Sequence, residues 1–207
     1  MAKLYYQGHA SYRLTANDGR VIYIDPSMGD GYDVPADLIL VTHQHKDHNR
    51  VDKCAKKPAC HVITNEDALK GGRHNRFDVI GIPIQSVMAK NRAHNPKRCV
   101  GYILTLDDVK IYASGDTSMT EQMKEFAALH LDYALFPGDG TANMGLKEAA
   151  ECARIVGAKH NIIIHLRPGA TGILFSRKRA EKWNAPHQLI VEPGEEITLT
   201  HSENGIE

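Results

Sequence analysis

The sequence predicts one mixed α/β (α+β) domain in which strands outnumber helices, and three observations carry this. Short apolar runs of strand length recur along the chain, separated by turn signals. Two stretches, near residues 118–127 and 146–156, place apolar residues at helical spacing instead. Several apolar runs also stop abruptly at a histidine or aspartate, where mixed folds hang site residues from a rigid scaffold. With 207 residues the chain suits one domain or two at most. Proline and glycine are spread evenly, so no linker marks a boundary, and we read residues 1–207 as one domain. A chain of this size buries roughly 70% of its unfolded surface and needs no disulfide or partner merely to fold. The oligomeric state stays open, a homo-oligomer included.

The elements follow in order. Residues 4–6 and 11–14 read as strands, and the turn at Asn17-Asp18-Gly19 leads into a third at 21–24. Asp25-Pro26 stops that strand. Residues 37–42 form a continuous apolar run, as in a strand buried on both faces, and end at a histidine cluster. Strands follow at 60–64 and 80–84. Residues 101–106 and 109–112 make a hairpin about Asp107-Asp108 and end near Gly115-Asp116-Thr117. Ser118-x-x-Glu121 is a capping-box pattern that opens a helix, with Met119, Met123, Phe126 and Ala127 on one face as core. A strand at 132–137 runs into Gly138-Asp139-Gly140. A helix at 146–156 turns Ala149, Cys152, Ala153 and Val156 inward and ends at Gly157. A buried strand at 161–165 ends in histidine, and strands at 188–191 and 196–199 close the chain.

Composition narrows the function. Lys plus Arg and Asp plus Glu are 25 each, a net charge of zero, which argues against a nucleic-acid partner bound on a broad basic face. Aromatics at 6% are thin for base stacking. The apolar runs are far too short for a membrane span, and the N-terminus has no signal-like apolar segment. We therefore expect a cytoplasmic protein with no membrane partner. The four cysteines lack C-x-x-C spacing and read as free thiols. No G-x-S-x-G elbow, G-x-G-x-x-G or Walker A pattern is present. Histidine, at 12 residues, is the abundant chemistry-bearing type.

The sharpest signal is Thr42-His43-Gln44-His45-Lys46-Asp47-His48, three histidines and a carboxylate at the end of a buried strand. In an extended segment His43 and His45 share a side and can bite one ion. Asp47 and His48, just past them, would face a second. Imidazole with carboxylate suits Zn²⁺, with Mn²⁺ or Fe²⁺ as alternatives.

His43-x-His45-x-Asp47-His48 resembles the H-x-H-x-D-H signature of the metallo-β-lactamase superfamily. Gly115-Asp116-Thr117 looks like its bridging aspartate, while His94 and His165 stand where its later histidines fall. The resemblance runs from about Gly8 to Arg167. Gly8-His9-Ala10-Ser11-Tyr12, Ile24-Asp25-Pro26 and the segment through Asn143-Met144 are similar to a small branch that includes ascorbate-6-phosphate lactonase-like proteins. Asp139 and Leu166-Arg167 depart from that branch. The resemblance implies a four-layer αββα sandwich of two mixed sheets with two divalent ions at its edge. It implies His43, His45 and His94 on the first ion, Asp47, His48 and His165 on the second, and Asp116 bridging. Asp47 and Asp116 are then the catalytic carboxylates, although Asp47, as a ligand, would be a poor base. His9 is read as packing or hydrogen-bonding near the core, outside the ligand set. Asp25 is read either as a support behind the ligands or as a plain turn residue.

The leading expectation is hydrolysis of a small-molecule ester, lactone or phosphoester bond by a hydroxide shared between the ions. The alternatives are a phosphodiesterase or ribonuclease of the same fold, or a non-catalytic metal-binding protein. Lys90, Arg92, Lys97 and Arg98 surround His94, and Arg167 lies two residues past His165. Arg92 and Arg167 are thus the candidate contacts for an anionic substrate. Asp139 would oppose such a substrate if it faced the ions.

Overall fold

The structure, a computed structural model, describes residues 1–167 and 175–201. The first sheet is built from β1 (Lys3–Gly8), β2 (Ser11–Thr15), β3 (Val21–Ile24), β4 (Ala36–Leu40) and β5 (Lys56–Ile63). The second takes β6 (Arg76–Val79), β7 (Ile82–Met88), β8 (Val100–Leu106), β9 (Val109–Ala113), β10 (Tyr133–Pro137), β11 (His160–Ile164) and β12 (Gln188–Leu189). The last strand, β13 (Glu196–Thr198), returns to pair with β1, giving the order β13-β1-β2-β3-β4-β5 against β12-β11-β10-β9-β8-β7-β6. Both sheets are mixed, antiparallel at one end and parallel at the other. The helices are α1 (Asn65–Ala68), α2 (Leu146–Val156) and α3 (Arg177–Ala180). Among the described residues no helix is long and apolar enough to cross a membrane.

Period-two alternation splits each sheet between two cores. Leu4, Leu14, Ile22 and Leu38 from the first sheet meet Tyr102, Leu104, Ile111 and Leu135 from the second. The reverse face of the second sheet, with Tyr112, Phe136 and Ile163, packs beneath α2 and Trp183. The reverse face of the first, with Tyr23, Ile39 and Val41, lies under Tyr32 and Cys54. Burial on both faces explains why β4 and β11 read as unbroken apolar runs. The outer layer over the first sheet is thin, a loop and the 3-10 turn Val51–Lys53 rather than a long helix.

Strand direction decides where the site can be. β1 runs with β3, because two antiparallel reversals separate them, and β3 runs with β4. In the other sheet β7 runs with β9 by the same parity, and β9 runs with β10 and β11. Within each sheet, then, these strands end on the same side. The residues that follow them are His9, Asp25 and the His43–His48 turn in one sheet, and the His94 loop, Asp116, Asp139 and His165 in the other.

Some local expectations change. The capping box at Ser118 does not form: a 3-10 helix, Glu121–Leu129, begins after Thr120 without a side-chain cap, and the Glu121 carboxylate pairs with Lys124 Nζ at 2.7 Å. With three residues per turn, Met123 and Phe126 line up on the buried face and Ala127 falls exposed. The strand expected from Ile80 starts at Ile82, because Ile80 and Gly81, at φ 51° and 72°, make the hairpin turn. Asp107 and Asp108, at φ 49° and 66°, form the expected tight turn. α1, α3 and β6 are too short to leave a periodic signal. The helix at Leu146–Val156 buries Ala149, Cys152, Ala153 and Val156, and Gly157 caps it at φ 67°.

Candidate metal centre

Past β4 the chain bends instead of staying extended, and the His48 N–H donates to the His45 carbonyl at 2.9 Å. The bend lies at residues 42–44, so His43 and His45 converge through it, not through the pleat that the sequence suggests. His43 Nε2 lies 3.1 Å from His45 Nδ1, and His94 Nε2, arriving from the β7–β8 loop, is 3.1 Å from the same nitrogen. One imidazole nitrogen offers a single in-plane hydrogen-bonding position, so the two contacts compete. A cation among the three nitrogens would satisfy them together.

Asp47, His48 and His165 gather in a second group, and His9 joins them. His9 Nε2 is 3.1 Å from Asp47 Oδ2, and the His9 and His165 rings lie tilted at 39° with centroids 3.6 Å apart. His9, which the sequence suggests packs or hydrogen-bonds near the core, is fully buried against Asp47 and also falls within this metal-capable group. Its strand ends in a histidine just as β11 does, which is the signal that could have found it.

Asp116, just past β9, stands between the groups. Its Oδ2 lies 3.5 Å from His94 Nε2, while its Oδ1 lies 3.4 Å from His48 Nε2 and 3.5 Å from His165 Nε2. Asp116 Oδ1, His48 Nε2 and His165 Nε2 are buried and have no hydrogen-bond partner. Orphaned donors and acceptors of this kind are costly in a dry interior. Together with the crowded imidazoles they fit bound metal cations.

Supporting residues back the rings from behind. Asp25 accepts from the Thr42 N–H at 2.7 Å, from Thr42 Oγ1 at 2.6 Å and from His48 Nδ1 at 2.8 Å. Thr42 Oγ1 lies 3.0 Å from His43 Nδ1. Asp25 is thus a support residue rather than a plain turn. Asn91 Oδ1 is 2.8 Å from His94 Nδ1, and Asp139 Oδ2 is 3.1 Å from His165 Nδ1. His9, Asp25 and His165 hold left-handed backbone at φ 56°, 47° and 48°. Such strain persists only where surrounding contacts over-determine it.

The buried carboxylates draw positive charge, as an ion or as a proton, into the site. Burial, reinforced by the charge on His48, pushes the His43 imidazolium down to about 2, and burial also lowers His94. Burial opposes ionisation of Asp116, but His165, His48, His43 and His94 hold its carboxyl far below the usual range. Burial would lower His48 too, yet Asp116, Asp25 and Asp47 raise it to about 9.

A cavity of about 830 Å³ opens against His43, His45 and His94. Lys97 and Arg98 are the cations on its wall, beside Glu66 and Leu69. Both cations are exposed, and neither is in an ion pair among the described residues. Arg92 and Arg167 are exposed as well but do not line this cavity. His61, His74, His130, His160, His187 and His201 stand outside the metal-capable groups of the described residues.

Residues 3–165 match the β-lactamase superfamily domain. A metal-dependent hydrolase of Pyrococcus furiosus is 30% identical over 230 aligned positions, covering 96% of this chain and 100% of the relative. A crystal structure from Parabacteroides distasonis, of a protein assigned to the metal-dependent hydrolases, has a TM-score of 0.72 at 27% identity and covers 93% of each chain. A metallo hydrolase of Ignicoccus hospitalis shares the fold with a TM-score of 0.73 at 19% identity, over 97% of this chain and 99% of its own. This chain belongs to the metallo-β-lactamase superfamily, among its metal-dependent hydrolases.

Proposed function

We propose that the chain is a binuclear hydrolase acting on an ester, lactone or phosphoester bond of a small anionic molecule. The observation that carries this is Asp116, one oxygen toward His94 and the other toward His48 and His165. In this reading His43, His45 and His94 hold one ion, Asp47, His48 and His165 hold the other, and Asp116 bridges. Imidazole and carboxylate donors favour Zn²⁺, with Mn²⁺ or Fe²⁺ as alternatives. Bound ions would supply a water acidified to near neutral pH and a Lewis acid for the electrophile's oxygen.

The protein's own groups do the rest. Asp25 and Thr42 orient His43 and His48. His9 fixes Asp47 by its Oδ2. Lys97 and Arg98 suit an anionic substituent, the guanidinium by paired hydrogen bonds and the ammonium as a point charge. Arg92 and Arg167 remain outer candidates for the same charge. Glu66, on the same cavity wall, disfavours a second anion close to it.

The test is metal stoichiometry joined to a substrate panel. Wild type should hold about two ions and hydrolyse anionic esters, lactones or phosphoesters faster than neutral isosteres. Asp116→Asn should lose both ions, because a neutral amide cannot balance two dications, whereas His165→Ala should keep about one. Loss of a single ion in both variants would remove the bridge from the reading, and an inert panel would remove the hydrolase.

A further inference from the structure

Asp139, which would oppose an anionic substrate if it faced the ions, lies instead behind His165. Its side chain is buried, and Oδ2 lies against the far nitrogen of His165 at 3.1 Å. The backbone beneath it is pinned, since Arg179 Nη2 donates to the Gly138 and Asp139 carbonyls at 2.9 and 2.8 Å. Oδ1 accepts from the Thr141 N–H at 2.6 Å and from the Thr141 hydroxyl. Oδ2 also accepts from Asn143 Nδ2 at 2.7 Å. Asn143 Oδ1 in turn accepts from Asn91 Nδ2 at 2.7 Å, and Asn91 Oδ1 faces His94 Nδ1 at 2.8 Å.

The protons in this chain are directed from both ends. An ionised carboxylate only accepts. Asn143 must therefore present its amino group to Asp139 and its carbonyl to Asn91. Flipping it would set oxygen against carboxylate and amine against amine. Asn91 must then present its carbonyl to His94, a carbonyl also held by the Ala93 and His94 N–H groups at 2.8 and 2.9 Å. His94 is left with its proton on Nδ1 and its lone pair on Nε2. The same Asp139 oxygen stands 3.1 Å from His165 Nδ1, a close contact outside hydrogen-bonding alignment, and its charge favours a proton on that nitrogen. Both Nε2 atoms face Asp116, on opposite oxygens.

We propose that Asp139, Asn143 and Asn91 form one polar strap that fixes the tautomer and ring orientation of a histidine in each half of the metal centre. The two halves are then coupled through residues that touch no ion. Asp25 does the same on the other side, where it contacts His48 directly and reaches His43 through Thr42. The inference rests on the two-ion reading above, and Asn143, Asn91 and Asp139 are positioning residues in it.

The test uses the full chain with Asn143→Leu, a near-isosteric change at a residue that contacts no proposed ligand. Competition with a chromogenic chelator for Zn²⁺ should show weaker binding of both ions, by about 10–100-fold each, as for other residues that support metal ligands. Unchanged affinity for both ions, or weakening of one alone, would overturn the strap. Imidazole ¹⁵N–¹H correlation spectra give a readout that general loosening would not move. In the wild type His94 and His165 should both carry the proton on Nδ1; in Asp139→Ala His165 should lose that preference, and in Asn91→Leu His94 should lose it. An Nε2–H form of either ring in the wild type would overturn the proposal even if the variants fail to fold. A wild type that binds no zinc would sink the two-ion reading, while the spectrum of the metal-free chain would still decide the strap.

Discussion

A single methyl group tests how tightly the centre is built. Gly115 precedes the bridging candidate and sits at φ 63°, a conformation L side chains rarely adopt. A Cβ there would stand 2.7 Å from the Val100 carbonyl oxygen and 3.0 Å from Thr42 Cβ. Val100 opens β8, and Thr42 carries the hydroxyl between Asp25 and His43, so neither yields without disturbing the site. Gly115→Ala should cost about 1–3 kcal/mol of stability through strain alone. It should also lower bound metal, because Asp116 moves with its backbone. Urea unfolding and elemental analysis check the two effects, and a variant with wild-type stability would show that β8 can shift freely.

At the scale of elements, the edge away from the metal centre is tied by Asp132, just ahead of β10. Its carboxylate accepts from the Lys110 N–H on β9 at 2.9 Å, from Lys159 Nζ ahead of β11 at 3.2 Å, and from His201 Nδ1 after β13 at 3.0 Å. Burial opposes its ionisation, but these partners together hold its carboxyl below the ordinary value. The sign follows from linkage. A group with a depressed folded pKa contributes fully above its unfolded value, about 3.9, and loses that contribution as pH falls through the folded value. Asp132→Asn should therefore be less stable by about 1.5–3 kcal/mol at pH 7. The gap to wild type should shrink as pH drops below about 4. Urea melts at pH 7 and pH 3 check this, and a gap that ignores pH would contradict it.

For the molecule as a whole, the proposed ligands come from both sheets and one core lies between the sheets. Cations bound there would link folding to metal concentration, since the unfolded chain lacks the assembled site. At a free metal concentration 100 times Kd, one site adds ~2.7 kcal/mol. For a chain of this length that corresponds to a Tm rise of roughly 5–10 °C. EDTA should remove that increment and leave a chain that still melts in one cooperative step, because the inter-sheet core does not depend on metal. Differential scanning calorimetry with and without chelator measures it. A Tm indifferent to EDTA would count against metal-linked folding, and two separate transitions would count against a single domain.

The sequence by itself determined most of the strands, β6 excepted, and what chemistry they carry. Period-two burial, the Asp107-Asp108 turn and the apolar runs that stop at His43, Asp116 and His165 are properties of neighbouring residues. Neighbouring residues also supply the two-sided reading of the His43–His48 segment, although a bend makes it, not the pleat. Short-range periodicity misled where the helix pitch changed, as in the 3-10 helix at Glu121–Leu129, and it fell silent on elements of four residues such as α1 and α3. Only the tertiary structure decided which ring nitrogen faces inward, that His9 reaches Asp47 across 38 positions, and that Asn91 reaches Asn143 across 52. It also decided that Lys97 and Arg98, rather than Arg92 or Arg167, line the described cavity. The physical reason is parity: how many times each sheet reverses direction fixes which strand ends meet at one edge, and no local spacing of residues records that number.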